Sequence, residues 1–266
     1  MFLTDDHLHT SFSPDGRAKA SEVCEAALKR GLSELTVTDH MDIYSDRPYT
    51  ESIDCPKWFD KMQEIREYYG QRLLVHIGIE LGQPQCNPGE AKAFLDKYPL
   101  DFIIGSVHNM ENDIDVYYYD FHKVDYREVY ARYLRWLKDM AEDFDFDIMG
   151  HVTYPSRYIF NQTGIVVDAM EFREQFEELF KLLIQKGRGI ELNLSGLARG
   201  QGGIMPDEGL LRLYRACGGE LITLGSDSHV ADQVGSVAAQ GQEILKALGF
   251  KYFNYFEERK PKFVKL

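Results

Sequence analysis

Along this chain, short apolar runs alternate with stretches in which apolar residues recur every three or four positions. The runs occupy residues 2–9, 34–40, 73–80, 102–108, 146–151, 189–193 and 220–227. Each is too short for an ordinary helix and reads as a buried strand. The stretches between them predict helices. One runs from an N-cap at Ser21 to Gly31, after the basic pair Lys29 and Arg30. Others are predicted over 56–69, closed by Gly70, and over 89–97. A long one over 126–144 places Val129, Tyr133, Trp136, Leu137 and Met140 on one face. The next starts at Asp168, with Glu171 at the capping-box spacing, and buries Phe172, Phe176, Leu179, Phe180 and Leu183 before stopping at Gly187. The last two are expected over 206–217 and 231–248, each followed by glycine. The aromatic tail, 250–266, takes no element from its pattern.

Seven strand-plus-helix units imply parallel strands joined by right-handed crossovers. The expected fold is therefore α/β: a distorted, TIM-like barrel of seven strands and one domain, over residues 1–266. An open sheet would order the elements similarly. In either, functional side chains collect at the C-terminal ends of the strands.

Composition narrows the function. With 44% hydrophobic and 27% charged residues, this is an ordinary globular chain. A net charge of −13 disfavours nucleic acid and anionic membranes as partners. It also repels a phosphate ester, unless the site reverses the local sign. The four cysteines, Cys24, Cys55, Cys86 and Cys217, form no CxxC pair, so neither a thiolate zinc site nor a disulfide framework is expected. Residues 1–9 hold two aspartates and no basic segment, and no apolar run reaches membrane-spanning length. The expectation is a cytoplasmic protein without a secretory leader.

The chemistry lies at the strand ends. Of eight histidines, His7, His9, His40, His108, His151 and His229 sit at or just past a predicted strand, whereas His76 lies inside one and His122 in a loop. One histidine on an apolar strand is ordinarily a satisfied core residue; six on one predicted face suggest a common ligand. His7 and His9, two apart on a strand, point to the same side and can converge on one cation. Asp5 is expected to fix a histidine tautomer, or merely to cap a loop. Glu80 and Asp227 end strands among the histidines, and Glu80 could bridge two metals. Asp15, in Ser13-Pro14-Asp15-Gly16, also reads as a plain turn. Asp39 and Asn193 could support the ligands or simply finish strands.

Asp5-x-His7-x-His9, Thr38-Asp39-His40, Glu80, Gly105-Ser106-Val107-His108, Gly150-His151 and Ser226-Asp227-Ser228-His229 resemble, in order, the motifs of the polymerase-and-histidinol-phosphatase (PHP) family. The resemblance implies a distorted seven-stranded barrel binding up to three divalent ions, zinc, manganese or iron. It implies His7, His9, Glu80 and Asp227 for one ion, and Glu80, His108 and His151 for a second. Asp15, His40 and His229 are implied for a third. Within the family the chain looks most like the stand-alone histidinol phosphatases. That likeness rests on Arg157-Tyr158 after Gly150-His151, on Ser195-Gly196-Leu197 after Glu191-Leu192-Asn193, and on Gly225-Ser226-Asp227-Ser228-His229. It implies phosphate contacts from Arg157 and Arg199, although Arg199 follows Ala198 where the subfamily places arginine directly after leucine.

The implied reaction is hydrolysis of L-histidinol phosphate by water activated between metals, with His7, His9, Glu80 and Asp227 at the catalytic centre. Three alternatives stay open at this point: another small phosphate ester, amide hydrolysis on a related barrel, and metal sensing without catalysis. No phosphate-cradling glycine loop or nucleophile-elbow motif is present. The segments 41–54 and 109–125 are candidate substrate-shaping loops.

Overall fold

The computed structural model describes residues 1–49, 53–200 and 203–266. Its main sheet runs β1 (Thr4–Asp5), β2 (Glu34–Val37), β4 (Leu74–Gly82), β5 (Phe102–Ser106), β6 (Ile148–Met149), β7 (Gly189–Asn193) and β8 (Ile222–Gly225), all parallel. The short strand β3 (His40–Asp42) pairs with the far half of β4. Backbone hydrogen bonds from Asp6 to Leu224, Asp227 to His7 and His9 to Ser228 join β8 back to the first strand. The result is a nearly closed barrel of seven strands, as the alternation predicts.

Each crossover helix lays its apolar stripe on the outside of this ring. They are α1 (Ala20–Lys29), α2 (Cys55–Tyr69), α3 (Pro88–Lys97), α4 (Tyr126–Asp143), α6 (Arg173–Gln185), α8 (Glu208–Ala216) and α9 (Ala238–Ala247). Period-two alternation divides the strand residues between two cores. On β5, Ile103 joins the large outer core, while Phe102 and Ile104 join Ile148 and Phe256 in a small inner one.

Four details depart from the pattern-based expectations. Lys19, not Ser21, is the N-cap of α1, its N–H bonded to Glu22. Asp168 caps a 3-10 turn, Ala169–Phe172, and α6 starts only at Arg173, because Glu171 reaches across to Arg127 at 2.8 Å instead of closing a capping box. The expected helix over 231–248 begins as a 3-10 turn, Ala231–Gln233, and becomes α9 only at Ala238, after Gly235 at φ +63°. An unexpected helix, α5 (Tyr154–Thr163), follows β6 and carries Arg157; another, α7 (Ser195–Ala198), follows β7 and is C-capped by Arg199.

The tail forms an antiparallel hairpin, β9 (Tyr252–Glu257) and β10 (Lys260–Lys265), turned at Glu258 and Arg259, both at positive φ. It closes the end of the barrel where the strands begin. Phe256 stacks on Phe102 with ring centroids 5.0 Å apart, Asn254 accepts from Ile222 N–H, and Arg259 pairs with Asp147 at 2.6 Å. The site is thereby confined to the other end.

Candidate metal centre

At the C-terminal ends of the strands all six strand-end histidines converge. His76 stays apart inside β4, 2.9 Å from Glu34, and His122 lies on an exposed turn. Glu80, delivered by the inward alternation of β4, stands at the middle of the six and is buried. Its Oε2 lies 3.3 Å from His7 Nε2, 3.5 Å from His9 Nε2 and 3.0 Å from His40 Nδ1. Its Oε1 lies 2.8 Å from His151 Nε2 and 3.2 Å from His108 Nε2, and accepts from Ser106 Oγ. One carboxylate thus faces two groups of imidazoles, one per oxygen.

The rings are oriented from behind. His7 Nδ1 lies 2.7 Å from Glu191 Oε1, and His108 Nδ1 lies 3.0 Å from Asp42 Oδ1. His9 Nδ1 lies 3.2 Å from Ser13 Oγ, which in turn donates to Asp39. A carboxylate acting directly or through a hydroxyl places the proton on Nδ1 and leaves the Nε2 lone pair turned to the centre. Asp39 thus stands behind the imidazoles rather than merely finishing a strand, and so does Asn193, whose amide donates to Glu191 and to Asp227. Asp5 does not take the expected part: its carboxylate is used by Ser226 N–H, Ser226 Oγ and Gly235 N–H, outside the barrel wall. Glu191 fills that role from two strands away in the ring. Gly225 permits its approach, since a Cβ there would strike both the Glu191 carboxylate and His7.

Asp227 sits at φ +49°, a left-handed conformation uncommon for any residue but glycine. The turn sets its Oδ1 3.7 Å from His9 Nε2 and 3.6 Å from His229 Nδ1. Asp15, largely exposed, reaches His229 Nε2 at 3.1 Å and His40 Nε2 at 3.7 Å. His9 stacks between His40 and His229, at 4.1 and 4.2 Å. Three groups have donor atoms close enough to share an ion: His7, His9 and Glu80; His40, Glu80 and His108; and His9, His40 and His229.

The electrostatics are those of a centre built for cations. Burial would raise the Glu80 pKa, but the imidazoles of His7, His108 and His40 hold it well below the usual carboxylate range. Burial likewise opposes an ionised Asp227, and His7, His229, Arg157 and Arg199 outweigh it. Burial disfavours charge on His7 and His108, yet Glu191 and Glu80 beside the first, and Glu80 and Asp42 beside the second, push both well upward. His9, buried among the rings of His40 and His229, is lowered.

The donor set fits divalent metal. Glu80 Oε2 is buried and accepts no hydrogen bond, a costly arrangement for a carboxylate oxygen that no cation satisfies. His7 Nε2 and His9 Nε2 are 3.1 Å apart, His108 Nε2 and His151 Nε2 3.3 Å. Two nitrogens bonded to one tetrahedral ion lie roughly 3.3 Å apart.

Above the centre opens a cavity of about 900 Å³. Arg157 and Arg199 line it, both beside Asp227: Arg157 Nη2 at 3.7 Å from Oδ2, and Arg199 Nη2 at 3.1 Å from the carbonyl oxygen. No lysine lines it among the described residues, so the carboxylated lysine of amide-hydrolysing barrels has no counterpart there. The two candidate loops also reach the cavity, through Tyr44, Arg47, Asp113, Asp115 and Tyr118. Ser45 N–H and Oγ both bond Asp113, latching one loop to the other. Residues 50–52 of the first loop lie outside the described residues.

A parallel barrel with imidazoles and carboxylates at its strand ends, and arginines above them, defines a metal-dependent hydrolase of phosphate esters. Residues 5–195 match the PHP domain, and the chain belongs to that family. It is 29% identical to the histidinol-phosphatase of Lactococcus lactis over 255 residues, 94% of this chain and 93% of that one. It is 27% identical over 263 residues to a probable histidinol-phosphatase of Clostridium acetobutylicum, covering 97% and 98% of the two chains. The crystal structure of the Lactococcus lactis histidinol phosphate phosphatase, in complex with zinc, L-histidinol and phosphate, superposes with a TM-score of 0.83, covering 98% of each chain at 27% identity.

Proposed function

We propose that this protein is a metal-dependent phosphomonoesterase that hydrolyses L-histidinol phosphate to L-histidinol and phosphate, a step of histidine biosynthesis. The observation that carries the reading is Glu80, fully buried, with each oxygen turned to a different group of imidazoles and one oxygen without a hydrogen-bond donor. The Lactococcus lactis relative, whose complex holds zinc, histidinol and phosphate, supports the substrate.

His7, His9, Glu80 and Asp227 would hold one ion, and Glu80, His108 and His151 a second. Asp15, His40 and His229 would hold a third. Bound divalent ions supply Lewis acidity toward phosphoryl oxygens and make a nucleophile of water near neutral pH. The chain's own residues do the rest. Glu191, Asp42 and the Asp39–Ser13 pair keep the rings from turning. Arg157 and Arg199 receive the phosphate oxygens and neutralise charge as the ester bond loosens. Three divalent cations would outweigh the three carboxylates that hold them, and Arg157 and Arg199 add to them, so the charges nearest the phosphate are positive despite the acidic chain. Histidinol carries an amine and an imidazole. Asp113 and Asp115, with the rings of Tyr118, Tyr154 and Tyr158, give the cavity a lining suited to them.

Nitrogen and oxygen donors together suit zinc, manganese or iron. The reading takes the whole chain as one catalytic unit acting on a small molecule, not on nucleic acid. The four unpaired thiols suit the reducing cytoplasm. The test is phosphate release from a panel of esters by metal-loaded protein. The reading predicts a kcat/KM for L-histidinol phosphate at least about a hundredfold above that for an aryl phosphate. Equal rates would remove the substrate assignment and leave a general phosphatase.

A further inference from the structure

The Arg157 guanidinium is tied to the metal-facing groups by a continuous buried line of hydrogen bonds. Arg157 Nη2 donates to Ser195 Oγ, and Ser195 Oγ donates to Asn193 Oδ1. Ser195 N–H donates to the same oxygen at 3.1 Å. Asn193 Nδ2 then donates to Glu191, at 3.2 and 3.3 Å from its two oxygens, and to Asp227 Oδ2 at 3.3 Å. Glu191 finally meets His7 Nδ1. Glu191, Asn193 and Ser195 are entirely buried.

Every direction in this line is determined. Two donors on Asn193 Oδ1 leave the amide nitrogen no choice but to face the carboxylates. The single Ser195 hydrogen is committed to Asn193, so the hydroxyl oxygen can only accept, and the donor facing it is an arginine. The backbone holds the line in place: Asn193 ends β7, bonded through its N–H and carbonyl to Met205, and Ser195 opens α7. Neither side chain reaches the imidazoles: Ser195 acts through Arg157, and Asn193 meets Glu191 and Asp227.

We infer that Ser195, backed by Asn193, is a positioning residue that sets the Arg157 guanidinium for the phosphate group, and so joins phosphate binding to the carboxylate framework of the metal centre. This rests on the phosphate role proposed for Arg157. A guanidinium held at one nitrogen keeps its other N–H groups aimed in a fixed plane, as two-pronged recognition of a phosphate requires.

The test is a double-mutant cycle on metal-loaded protein, reading the dissociation constant of inorganic phosphate by calorimetry and the KM and kcat for L-histidinol phosphate. Ser195→Ala should weaken phosphate binding about tenfold, the loss of one charge-assisted hydrogen bond, and raise KM more than it lowers kcat. Metal content should not change. Arg157→Ala should weaken phosphate binding further, and adding Ser195→Ala to it should cost nothing more, because the serine acts only through the arginine. Ser195→Thr, which keeps the hydroxyl, should recover most of the affinity. Unchanged phosphate binding in folded, metal-replete Ser195→Ala overturns the inference, and so do additive losses in the double variant. Wild-type protein that neither binds phosphate nor hydrolyses either ester overturns the proposed function instead.

Discussion

Replacing Glu191 by glutamine keeps the side chain's shape and removes its charge. In the structure all of its partners are donors: His7 Nδ1 at 2.7 Å, His151 N–H at 2.9 Å and Asn193 Nδ2 at 3.2 and 3.3 Å. A carboxylate accepts from all of them, whereas an amide has one accepting oxygen and one donating nitrogen. In either flip, glutamine sets a donor against His7 or against the His151 backbone. The charge-assisted bond to His7 falls from about 1.5–3 to about 1 kcal/mol at best, and a buried donor is left facing another. The imidazole loses its fixed tautomer, and metal affinity should fall about 10–100-fold, roughly 1.4–2.7 kcal/mol. Chelator-stripped wild type and Glu191→Gln should be titrated with zinc and with manganese against a chromophoric competitor at one pH. Affinity within about threefold of wild type, in a variant that melts cooperatively, would refute the claim that Glu191 orients His7.

Three further outcomes follow from other parts of the molecule. Asp115→Asn removes a carboxylate from the cavity lining and should raise KM for L-histidinol phosphate about tenfold while leaving in place that for an aryl phosphate whose leaving group carries no charge; parallel rises would mean general damage to the pocket. Burial pushes Glu34 up from 4.5 to about 8, so the folded chain keeps a proton that the unfolded chain releases earlier. The stability this group contributes is complete below pH about 4.5 and is lost as pH rises toward 8; urea unfolding of metal-free protein at pH 5 and pH 8 should show a smaller drop in Glu34→Gln than in wild type. Phe256→Ala empties the closed end of the barrel and should cost about 3–5 kcal/mol in thermal or urea unfolding, with kcat unchanged at a temperature where the variant stays folded.

Periodicity and strand-end chemistry made most of the barrel legible in advance. Six of the seven runs ended in a group that stands at the centre, because a parallel barrel places all C-terminal strand ends on one face; the run 189–193 ended in Asn193, which stands behind it. The groups behind the imidazoles were harder to see. Asp42, Gln83 and Glu191 carry no spacing signal, since each acts across the ring on a residue distant in sequence. Gln83 accepts from His108 N–H and donates to Asp42, from a left-handed backbone that sequence does not announce. Asp5 misled by its place beside His7. The strand breaks its alternation there: Asp6 turns inward to Thr36, leaving Asp5 on the outer wall with Ser226. Helix α5 was hidden by its length and its proline, Pro155, which suits the first turn of a helix as well as a loop. The tail resisted reading because a hairpin that plugs a barrel owes its pattern to the bore it fills: Phe256 joins the inner core, Tyr255 lies against His76 and Phe2, and Glu257 is exposed.

The most direct measurement of the whole account is phosphate release from L-histidinol phosphate by protein stripped with a chelator and then refilled stepwise with zinc, manganese or iron. The account predicts negligible turnover in the stripped protein and recovery on refilling with at least one of these metals. Full activity in protein shown to be free of metal would contradict it, and so would a protein that binds the metals and releases no phosphate from this ester or from any other.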